Sequence, residues 1–576
     1  MLTADTFRRR LREHLEDHEH KVLLRIVVSN TVHELTGRGI LDQAAVLVHR
    51  YCSAPRSGVV LLLLPHSIEL FLLHLGLILD GRIPAILAWP TTRVDPEKYQ
   101  RNLLHQLRSL PASQLVTLPR LAENMASALG YPVVACPIES AVLLEKAFSL
   151  PAPLRDGGTI PPRRSSQTNP GDAVFLQFSG GTTGAQKAVV VTADMLERQL
   201  RRLADFLPFT ANDVVVSWLP MYHDMGLIAC LWMPLWCGAS SVHFSASDWL
   251  VNPELLFDYM ERYAGTFCWL PNFAFSYLPA QKARMTRAFA LDRVRGWISC
   301  SEPVRHSSME LFVDAFHEWG VRAEQLQASY AMAENVFAVT QTRIGSRPAT
   351  FQRRALSHGG AGSDELAFGL LDDTYVSSGG VLPGMELRVM DRGCACKPGQ
   401  PGEIELRSEC LFSGYWGNDG FVTDAMSADG WYATGDFGFM AGDDVFVIGR
   451  KKDIVIIGGQ NVFPEDVEAV VNTLEGIYAG RVVAFGVSDD EFGTETLAVV
   501  AELRGEYDRA RAATVQREIQ RLILSTIGLA PRFVSVVPER WIVKSTAGKI
   551  SRRETRLRWL EERENRASIP VVAARR

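Results

Sequence analysis

Short apolar runs alternate with longer helix-periodic segments through about residue 340 of the chain, and this alternation limits the possible folds more than any other feature. The apolar run Val59–Leu64 precedes a helical pattern at Ser67–Asp80, and the run Asp213–Trp218 precedes another at Met225–Cys237. Such alternation is typical of βαβ units, in which helices cover parallel sheets. We therefore predict an α/β fold with a large N-terminal domain of parallel sheets.

The pattern changes from about residue 380 onward. Three short runs bounded by turn signals, MELRVMD, GEIELRS and DDVFVIG, predict a small β-barrel-like subdomain over about residues 380–450. Beyond Arg450, a helical pattern at Pro464–Leu474 is followed by a strand pattern at Arg481–Val487. We predict two domains, residues 1–451 and a small α+β domain of residues 452–576.

Composition excludes several classes of protein. Hydrophobic residues make up 47% of the chain and charged residues 22%, which is ordinary for a folded protein. The net charge of −5 gives no overall attraction to nucleic acid or to an anionic membrane. The most apolar stretch, residues 59–79, is interrupted by Pro65, His66, Glu69 and His74, which favours a strand and a core helix over a membrane span. Nine scattered cysteines and the lack of a signal-peptide pattern lead us to expect a cytoplasmic protein.

The densest motif is FSGGTTGAQK at residues 178–187, directly after the apolar run AVFLQ. Glycines allow a tight turn whose N–H groups point at one anion, and two threonine hydroxyls with Lys187 would complete a phosphate site. The alternative is an ordinary flexible loop, which is less favoured because the donors are so dense after a strand. The spacing excludes the P-loop of NTPases, in which a lysine directly follows the last glycine.

Five further motifs follow in order along the chain. They are WLPMYHDMG (218–226), SYAMAE (329–334), YATGD (432–436), GRKKD (449–453) with GGQN (458–461), and KSTAGK (544–549). In this order the motifs strongly resemble the adenylate-forming superfamily of acyl- and aryl-CoA synthetases, peptide-synthetase adenylation domains and luciferases. The resemblance covers about residues 45–560 and implies that the small C-terminal domain is mobile.

The resemblance also implies a reaction. A carboxylate would attack the α-phosphate of ATP and give an acyl-adenylate and pyrophosphate, with Mg²⁺ as the second cofactor. The implied catalytic residues are Lys549, Glu334 and His223. Lys549 would bridge the reacting carboxylate and the α-phosphate, and Glu334 with Thr183 would hold Mg²⁺.

A set of residues is implied to bind the nucleotide. It comprises Ser179, Gly180, Gly181, Thr182, Thr183, Gly184, Lys187, Ser301, Glu302, Pro303, Ser329, Tyr330, Ala331, Met332, Asp436 and Arg450. Asp436 would accept both ribose hydroxyls, Tyr330 would stack on adenine, and Arg450 would reach the ribose or the phosphates. Structural alternatives stay open: Asp436 could cap a turn, Glu334 could be an exposed helix carboxylate, and Lys549 could be one more cation of a basic tail.

Lys452 stands where this superfamily has its hinge, in agreement with the predicted domain boundary. The resemblance implies that the C-terminal domain alternates between an orientation for adenylation and one for transfer to a thiol. A hinge residue absorbs a change in φ and ψ, which an exposed lysine tolerates well. The alternative is that Lys452 is an ordinary solvated charge.

Further phrases favour one branch of the superfamily. SWLPMYHDMGLI (217–228), LPNFAF (270–275), SEPV (301–304) and AILAWPTTRVDPEKYQRNLLHQL (85–107) look most like the fatty acyl-AMP ligases. Those enzymes pass the acyl group to the phosphopantetheine arm of an acyl carrier protein rather than to free CoA, and here we expect that carrier in trans. The long stretch between Glu334 and Pro383 is interpreted as their marker insertion, with a variable surface loop as the alternative.

Other functions remain alternatives. The nearest is an acyl-CoA synthetase with the same first step, followed by an enzyme that activates aryl or β-amino acids. A nucleotide-binding scaffold without catalysis is a third, and the retention of Glu334, Asp436 and Lys549 together speaks against it.

The implied substrate pocket combines aromatic and polar residues. Its members are Trp218, His223, Asp224, Trp269, Asn272, Cys300 and Ala331. Trp269 and Leu270 stand where fatty-acid-specific relatives tend to have small residues, so a shortened tunnel would favour a medium-chain, branched or aromatic acid. Plain core packing is the alternative for Trp269, a satisfied core histidine is the alternative for His223, and Asp224 does not decide the substrate.

Three features are interpreted as structural. His14, His18 and His20 lie near one helical face and are expected to be solvated rather than metal-binding. The CAC sequence at residues 394–396 is predicted to lie on a hairpin turn and is interpreted as two ordinary thiols. The basic segment 551–576 is interpreted as a solvated helix face, with docking of an acidic carrier protein as the alternative.

Overall fold

Two large mixed sheets form the part of the protein that precedes residue 451. The structure is a computed structural model, and the predicted alternation of strands and helices is present in it. It describes residues 2–90, 96–126, 129, 131–138, 172–179, 187–352, 374–417, 420–422, 426–457, 460–489, 494–544 and 550–567.

The larger sheet has fourteen strands among the described residues, and six consecutive ones run parallel. Those six are Val22–Val28, Ser240–His243, Val214–Ser217, Phe267–Leu270, Gly296–Cys300 and Leu326–Ala331, with Thr31–Thr36 as the antiparallel outer neighbour. The carboxyl ends of three of these strands lead into the motifs at residues 218, 301 and 329. Loops at this edge of a parallel sheet commonly form binding sites.

The smaller main sheet has eight strands among the described residues. In spatial order they are Gly420–Val422, Tyr415–Gly417, Ala188–Thr192, Ala173–Phe178, Ile83–Ile86, Val59–Leu63, Gln114–Thr117 and Val133–Ala135. Val59–Leu63 is wholly buried and is followed by the buried helix Ile68–Leu79, which confirms the strand and core helix predicted there. Within the described part of the chain, no helix has the length and hydropathy needed to cross a bilayer.

Antiparallel strands extend the larger sheet beyond its parallel part. They are Ala338–Gln341, Gly380–Val381, Asp444–Arg450, Tyr432–Ala441, Gly402–Ser408, Met385–Asp391 and Cys394–Ala395, in spatial order. Gly379 enters this region with φ of +92°, and a Cβ there would lie 2.1 Å from the carbonyl carbon of Gln341, so only glycine fits. A separate small ribbon pairs Thr350–Gln352 with Thr374–Val376.

Helices cover both main sheets. Before residue 451 they are Ala4–Asp17, Gly37–Tyr51, Ile68–Leu79, Pro96–Ser109, Pro119–Met125, Ala193–Phe206, Met225–Trp232 (a π-helix), Met233–Trp236, Ala246–Val251, Leu255–Arg262, Asn272–Gln281 and His306–Phe316. Side chains start several of them: Oγ of Ser67 accepts a hydrogen bond from the N–H of Leu70, and Oγ1 of Thr192 accepts one from the N–H of Met195. Short 3₁₀ turns are Lys282–Arg284, His317–Trp319, Ala323–Gln325, Ala333–Asn335 and Lys451–Asp453.

The C-terminal part is α+β, as predicted. The strands Ile477–Asp489, Thr494–Leu503 and Phe533–Val537 form its sheet, and Val455–Ile457 with Gln460–Val462 form a short hairpin. Its helices are Pro464–Val471, Arg509–Ile527 and Arg552–Ala567. Val467, Val499 and Ile519 are fully buried in a hydrophobic core of its own. The α/β fold class is thereby confirmed, and the domain boundary at residue 452 stays a prediction.

Candidate active site

Three of the predicted motifs meet around one buried carboxylate, Asp436. Asp436 and Arg450 are paired in register on neighbouring antiparallel strands, and Nε of Arg450 lies 2.7 Å from Oδ1 of Asp436. The hydroxyl of Tyr330 donates to Oδ2 of Asp436 at 2.5 Å. Motifs that are 106 residues apart in sequence thus share one carboxylate.

The charge of Asp436 stabilises the protonated forms of both of its partners, Tyr330 and Arg450. Burial and the charge of Asp436 raise the pKa of Tyr330 well above its ordinary value, so its hydroxyl stays protonated. The same carboxylate raises the pKa of Arg450, which stays charged. Each carboxylate oxygen offers two acceptor sites, so Asp436 can accept the hydroxyls of a diol in addition to these two bonds.

Tyr415 contacts both Glu334 and Lys187, which lies at the end of the glycine-rich segment. The Tyr415 hydroxyl donates to Oε1 of Glu334 at 2.6 Å and lies 3.2 Å from the hydroxyl of Tyr432. Nζ of Lys187 lies 4.4 Å from the centre of the Tyr415 ring, within the range of a cation–π contact. Burial, followed by the charge of Glu334, raises the pKa of Tyr415.

The turn that carries Glu334 is held from two sides. Nε2 of Gln177, on the strand before the glycine-rich segment, donates to the carbonyl oxygens of Ala333 (2.8 Å) and Val336 (2.9 Å). The N–H of Phe412 donates to the carbonyl oxygen of Glu334 at 2.8 Å. Val336 has a φ of +65°, which is costly for a β-branched residue and persists only where contacts enforce it.

Sequence reasoning missed Tyr415 and Gln177. Gln177 directly precedes the glycine-rich motif and Tyr415 lies outside every predicted motif, yet their contacts span 156 and 81 residues of sequence, and no local pattern indicates such contacts. Glu334 supplies the oxygen ligand that Mg²⁺ prefers, so the residues present fit a magnesium ion beside bound phosphates.

Several predicted nucleotide-binding residues also stabilise the fold. Oε2 of Glu302 accepts the N–H of Phe273 at 3.0 Å in the first turn of the helix Asn272–Gln281. Oγ of Ser329 donates to the carbonyl oxygen of Thr340 at 2.9 Å. Ser301 has a φ of +73°, so the backbone of this loop is strained beside the site.

The structure also describes four other residues that are predicted to bind the nucleotide. Pro303 lines a crevice that also includes Arg305 and Asp466. Ala331 pairs in register with Ala338, and the N–H of Met332 donates to the carbonyl oxygen of Phe337 at 2.9 Å. Ser179 is buried at the end of its strand, where its N–H donates to the carbonyl oxygen of Lys187.

The predicted substrate pocket is aromatic and closely packed. Trp269 and Cys300 are fully buried on neighbouring parallel strands. Trp218 stacks on Trp249 with ring centres 4.0 Å apart. Full burial of Trp269 is what the core-packing alternative requires, and its part in the pocket stays a prediction. Oδ1 of Asn272 accepts the N–H of Arg305 at 3.1 Å.

His223 and Asp224 precede the π-helix Met225–Trp232. Oδ1 of Asp224 accepts the N–H of Met225 at 2.8 Å and so caps this helix. A Cβ at Gly226 would lie 2.3 Å from the carbonyl oxygen of Pro220, which explains the glycine of this motif. π-helical turns occur frequently at functional sites, because their extra residue re-aims the neighbouring side chains.

Some predicted residues lie outside the described part of the chain. They are Gly180, Gly181, Thr182, Thr183, Gly184 and Lys549. Residues 353–373, within the predicted insertion, lie outside it too. Lys452 lies in the 3₁₀ turn Lys451–Asp453, where partial burial lowers its pKa.

Of the histidines near the N-terminus, His14 and His18 are part of a packed surface, and the His20 side chain is exposed. Nε2 of His14 lies 2.8 Å from the carbonyl oxygen of Leu235, and its ring centre is 4.4 Å from that of His18. Within the ranges the structure describes, no group of three His, Cys, Asp or Glu residues is arranged to hold a metal ion.

Comparison with known proteins matches the chain to a family model described as AMP-binding enzyme over residues 41–416. The long-chain-fatty-acid–AMP ligase FadD23 of Mycobacterium tuberculosis is 31% identical over 412 residues, which cover 66% of this chain and 68% of FadD23. A putative acyl-CoA synthetase of Caulobacter vibrioides is 27% identical over 490 residues, 83% of this chain and 82% of the relative. A structure from a study of fatty acyl-adenylate ligases of E. coli and L. pneumophila is similar in fold, with a TM-score of 0.78 at 21% identity, covering 96% of this chain and 98% of that one.

Proposed function

Because the chain belongs to the AMP-binding enzyme family of AMP-forming ligases, we propose that it activates a fatty or medium-chain acid and loads it onto a separate acyl carrier protein. In the first step a carboxylate oxygen of the acid bonds to the α-phosphorus of ATP, and the bond from that phosphorus to pyrophosphate breaks. In the second step the phosphopantetheine sulfur bonds to the acyl carbon, AMP leaves, and the thiol proton passes to solvent.

The contact of Lys187 and Glu334 with one tyrosine supports the first step most strongly. Lys187 lies over the Tyr415 ring and Glu334 accepts the Tyr415 hydroxyl, so a cation and a carboxylate contact the same side chain. Phosphates held by Lys187 would then lie beside a Mg²⁺ ion held by Glu334 and, as proposed, Thr183. When bound, Mg²⁺ would neutralise phosphate charge and stabilise the leaving pyrophosphate.

The remaining roles follow from charge and position. Asp436, fixed by Tyr330 and Arg450, would accept the ribose hydroxyls. Lys549 would enter to neutralise the repulsion between the acid carboxylate and the α-phosphate. We propose that residues 452–576 turn about Lys452 between the two steps, which would withdraw Lys549 before the thiol arrives.

The acid would lie against the aromatic wall formed by Trp218 and Trp269, with His223 at its entrance. Both indoles are buried and large, which supports an acid of medium length, branched or aromatic, over a long straight chain. A panel of acids from six to eighteen carbons, with aryl and β-amino acids added, would identify the substrate class.

The acceptor is tested by offering each thiol separately. Enzyme, ATP, Mg²⁺ and decanoic acid are incubated with a phosphopantetheine-bearing carrier protein, with the same carrier lacking that arm, or with CoA. Mass spectrometry then measures the thioester in each mixture. We expect acylation of the complete carrier alone, and efficient formation of a CoA thioester would contradict the choice of acceptor.

An acyl-CoA synthetase is the second candidate. It is favoured by the relative from Caulobacter vibrioides, which bears that name and aligns with a larger share of this chain than FadD23 does. Both candidates share the adenylation step, so the experiment above distinguishes them without affecting the rest of the assignment.

A further inference from the structure

One arginine holds three carboxylates at the start of the last helix. Nη1 of Arg552 lies 2.8 Å from Oδ2 of Asp453, and Nη2 lies 3.1 Å from Glu465 and 2.9 Å from Glu468. Nε of Arg552 donates to the carbonyl oxygen of Ala484 at 2.9 Å. We call Arg552, Asp453, Glu465 and Glu468 the arginine cluster. All four side chains are at least four-fifths buried.

The arginine cluster touches the chain on both sides of Arg450. Asp453 lies three residues after Arg450, in the same turn as Lys452. Glu465 packs against Gly449, the residue before Arg450, where a Cβ would lie 3.2 Å from its Oε2. Arg450 in turn holds Asp436. A continuous series of contacts therefore joins Arg552 to the carboxylate at the centre of the candidate site.

Arg552 supplies the one positive charge in the cluster that balances the three carboxylates. Three carboxylates share a partly buried space with one guanidinium, which offers up to five donors in a fixed plane. Burial raises the pKa of Glu468, and Arg552 opposes that rise by stabilising its charge. Without Arg552 the three acids would repel one another, so Asp453 would draw residues 449–453 out of position and Glu465 would move away from Gly449.

We propose that Arg552 is a positioning residue for the nucleotide site, because it fixes residues 449–453 so that Arg450 holds Asp436 in place. This inference rests on the proposed function, since it assigns Arg552 to the binding of ATP in the adenylation step. Arg552 itself contacts neither Asp436 nor Arg450 and acts through Asp453 and Glu465.

Arg556 offers a matched control one helical turn later. Its Nε donates to the carbonyl oxygen of Gly486 at 2.9 Å, as Nε of Arg552 does to that of Ala484 on the same strand. Among the described residues, Arg556 has no carboxylate within ion-pair distance, unlike Arg552. The two arginines therefore differ in the feature that the proposal concerns.

The experiment compares Arg552→Gln, Arg552→Lys, Arg556→Gln and Arg450→Gln in acid-dependent exchange of labelled pyrophosphate into ATP. We expect Arg552→Gln to raise the KM for ATP about tenfold while changing the KM for the acid by less than about twofold. Arg556→Gln should change neither by more than about twofold, and Arg552→Lys should recover part of the loss by retaining the charge.

A double variant separates positioning from a general structural effect. In the Arg450→Gln background, Arg552→Gln should raise the KM for ATP by less than about twofold more, because both changes act through one contact. Equal losses in Arg552→Gln and Arg556→Gln, or a full further loss in the Arg450→Gln background, would overturn the proposal.

Two further measurements cover a variant that does not fold and a wild type that shows no exchange. If thermal unfolding shows that Arg552→Gln does not fold, Arg552→Lys and Asp453→Asn replace it, and a KM for ATP like that of the wild type in both would overturn the proposal. If the wild type shows no acid-dependent exchange, the proposed function fails by itself. Calorimetric titration with ATP then still tests the role of Arg552. Arg552→Gln should weaken the binding of ATP more than Arg556→Gln does.

Discussion

The proposed nucleotide side and the proposed acyl side of the candidate site are built by different means. On the nucleotide side, Asp436, Arg450 and Glu334 are charged and lie in short hydrogen bonds or ion pairs of 2.6 to 2.7 Å. On the acyl side, Trp269 and Cys300 are fully buried and in close aromatic or aliphatic packing. Charged groups and the directions of their hydrogen bonds define the first side, and the volume of packed side chains defines the second.

This difference has a consequence for substitutions. ATP is the same in every reaction of such an enzyme, and a lost charge partner leaves another charge uncompensated. A packed wall tolerates changes of volume and discriminates acids by only about 1–3 kcal/mol for each methylene. We therefore expect changes on the nucleotide side to lower activity with every acid equally, and changes on the acyl side to alter which acid is used.

The largest effect is expected at Asp436. Asp436→Asn removes the charge that Arg450 and Tyr330 hold, and should lower acid-dependent pyrophosphate exchange about 100-fold, equally for all acids. Asp444→Asn is the control, because Asp444 lies on the neighbouring strand and accepts a hydrogen bond from Ser377 at 2.6 Å. A loss that depends strongly on the acid would break the distinction between the two sides.

Trp269→Leu should change the preferred acid. The smaller side chain lengthens the space beside Cys300, so the ratio of kcat/KM for a long acid to that for a medium acid should rise about 10- to 30-fold. The measurement is exchange with acids of increasing length. Trp297→Leu is the matched control, since Trp297 is equally buried but faces the other side of the same sheet. Similar shifts in both variants would show that Trp269 only fills the core.

Acid should destabilise the part of the protein before residue 451 through buried neutral histidines. Burial lowers the pKa of both His74 and His243 to about 3, against about 6.5 in the unfolded chain. Stability is complete above pH 6.5 and falls as the pH drops toward 3, because the unfolded chain then binds more protons. Residues 452–576 contain no histidine, so no histidine there contributes to this acid sensitivity.

His74→Gln tests this acid sensitivity. A glutamine can still accept the Trp232 N–H that His74 accepts at 3.2 Å, but it does not titrate. The variant should lose about 2 kcal/mol less unfolding free energy than the wild type between pH 6.5 and 5, measured by denaturant unfolding. Exposed His20→Gln should leave the pH dependence unchanged, and an unchanged slope in His74→Gln would contradict the expectation.

Tyr415→Phe should have the smallest effect. The ring that Lys187 contacts remains, while the hydrogen bond to Glu334 is lost. Losing one such bond is worth about 1 kcal/mol, so kcat for exchange should fall about fivefold. Tyr131→Phe, which removes a hydroxyl bonded to the carbonyl oxygen of Leu107, serves as the control. A loss as large as that of Asp436→Asn would place Tyr415 among the groups that touch substrate.

The same contrast explains what could be predicted from the sequence. The apolar run and helical pattern at residues 59–79 fix a strand and a helix because local periodicity suffices to specify them. Tyr330, Asp436 and Arg450 are recognisable because a nucleotide site needs those side chains in ordered motifs. The structure brings these three side chains together, and their role in binding a nucleotide stays a prediction.

What could not be predicted depends on contacts between distant parts of the chain. Tyr415 acts through a carboxylate 81 residues away, Gln177 through carbonyl groups 156 and 159 residues away, and Arg552 through carboxylates 84 to 99 residues away. Single residues of these types occur throughout any sequence. The hydrogen bond from the Phe273 N–H to Glu302 is a further case, since a motif indicates a binding role but not the helix that the side chain also stabilises. Packing around Trp269 is equally hidden, because the sequence left this side chain open between a wall of the acyl tunnel and plain core packing.

The most direct test is whether the enzyme joins an acid to AMP in the absence of any thiol. Enzyme, ATP, Mg²⁺, labelled pyrophosphate and a medium-chain acid are incubated without CoA or carrier protein, and label entering ATP is measured. We expect exchange that requires the acid and is lost in Asp436→Asn. Exchange that needs a thiol, or release of ADP and phosphate in place of AMP and pyrophosphate, would contradict the account.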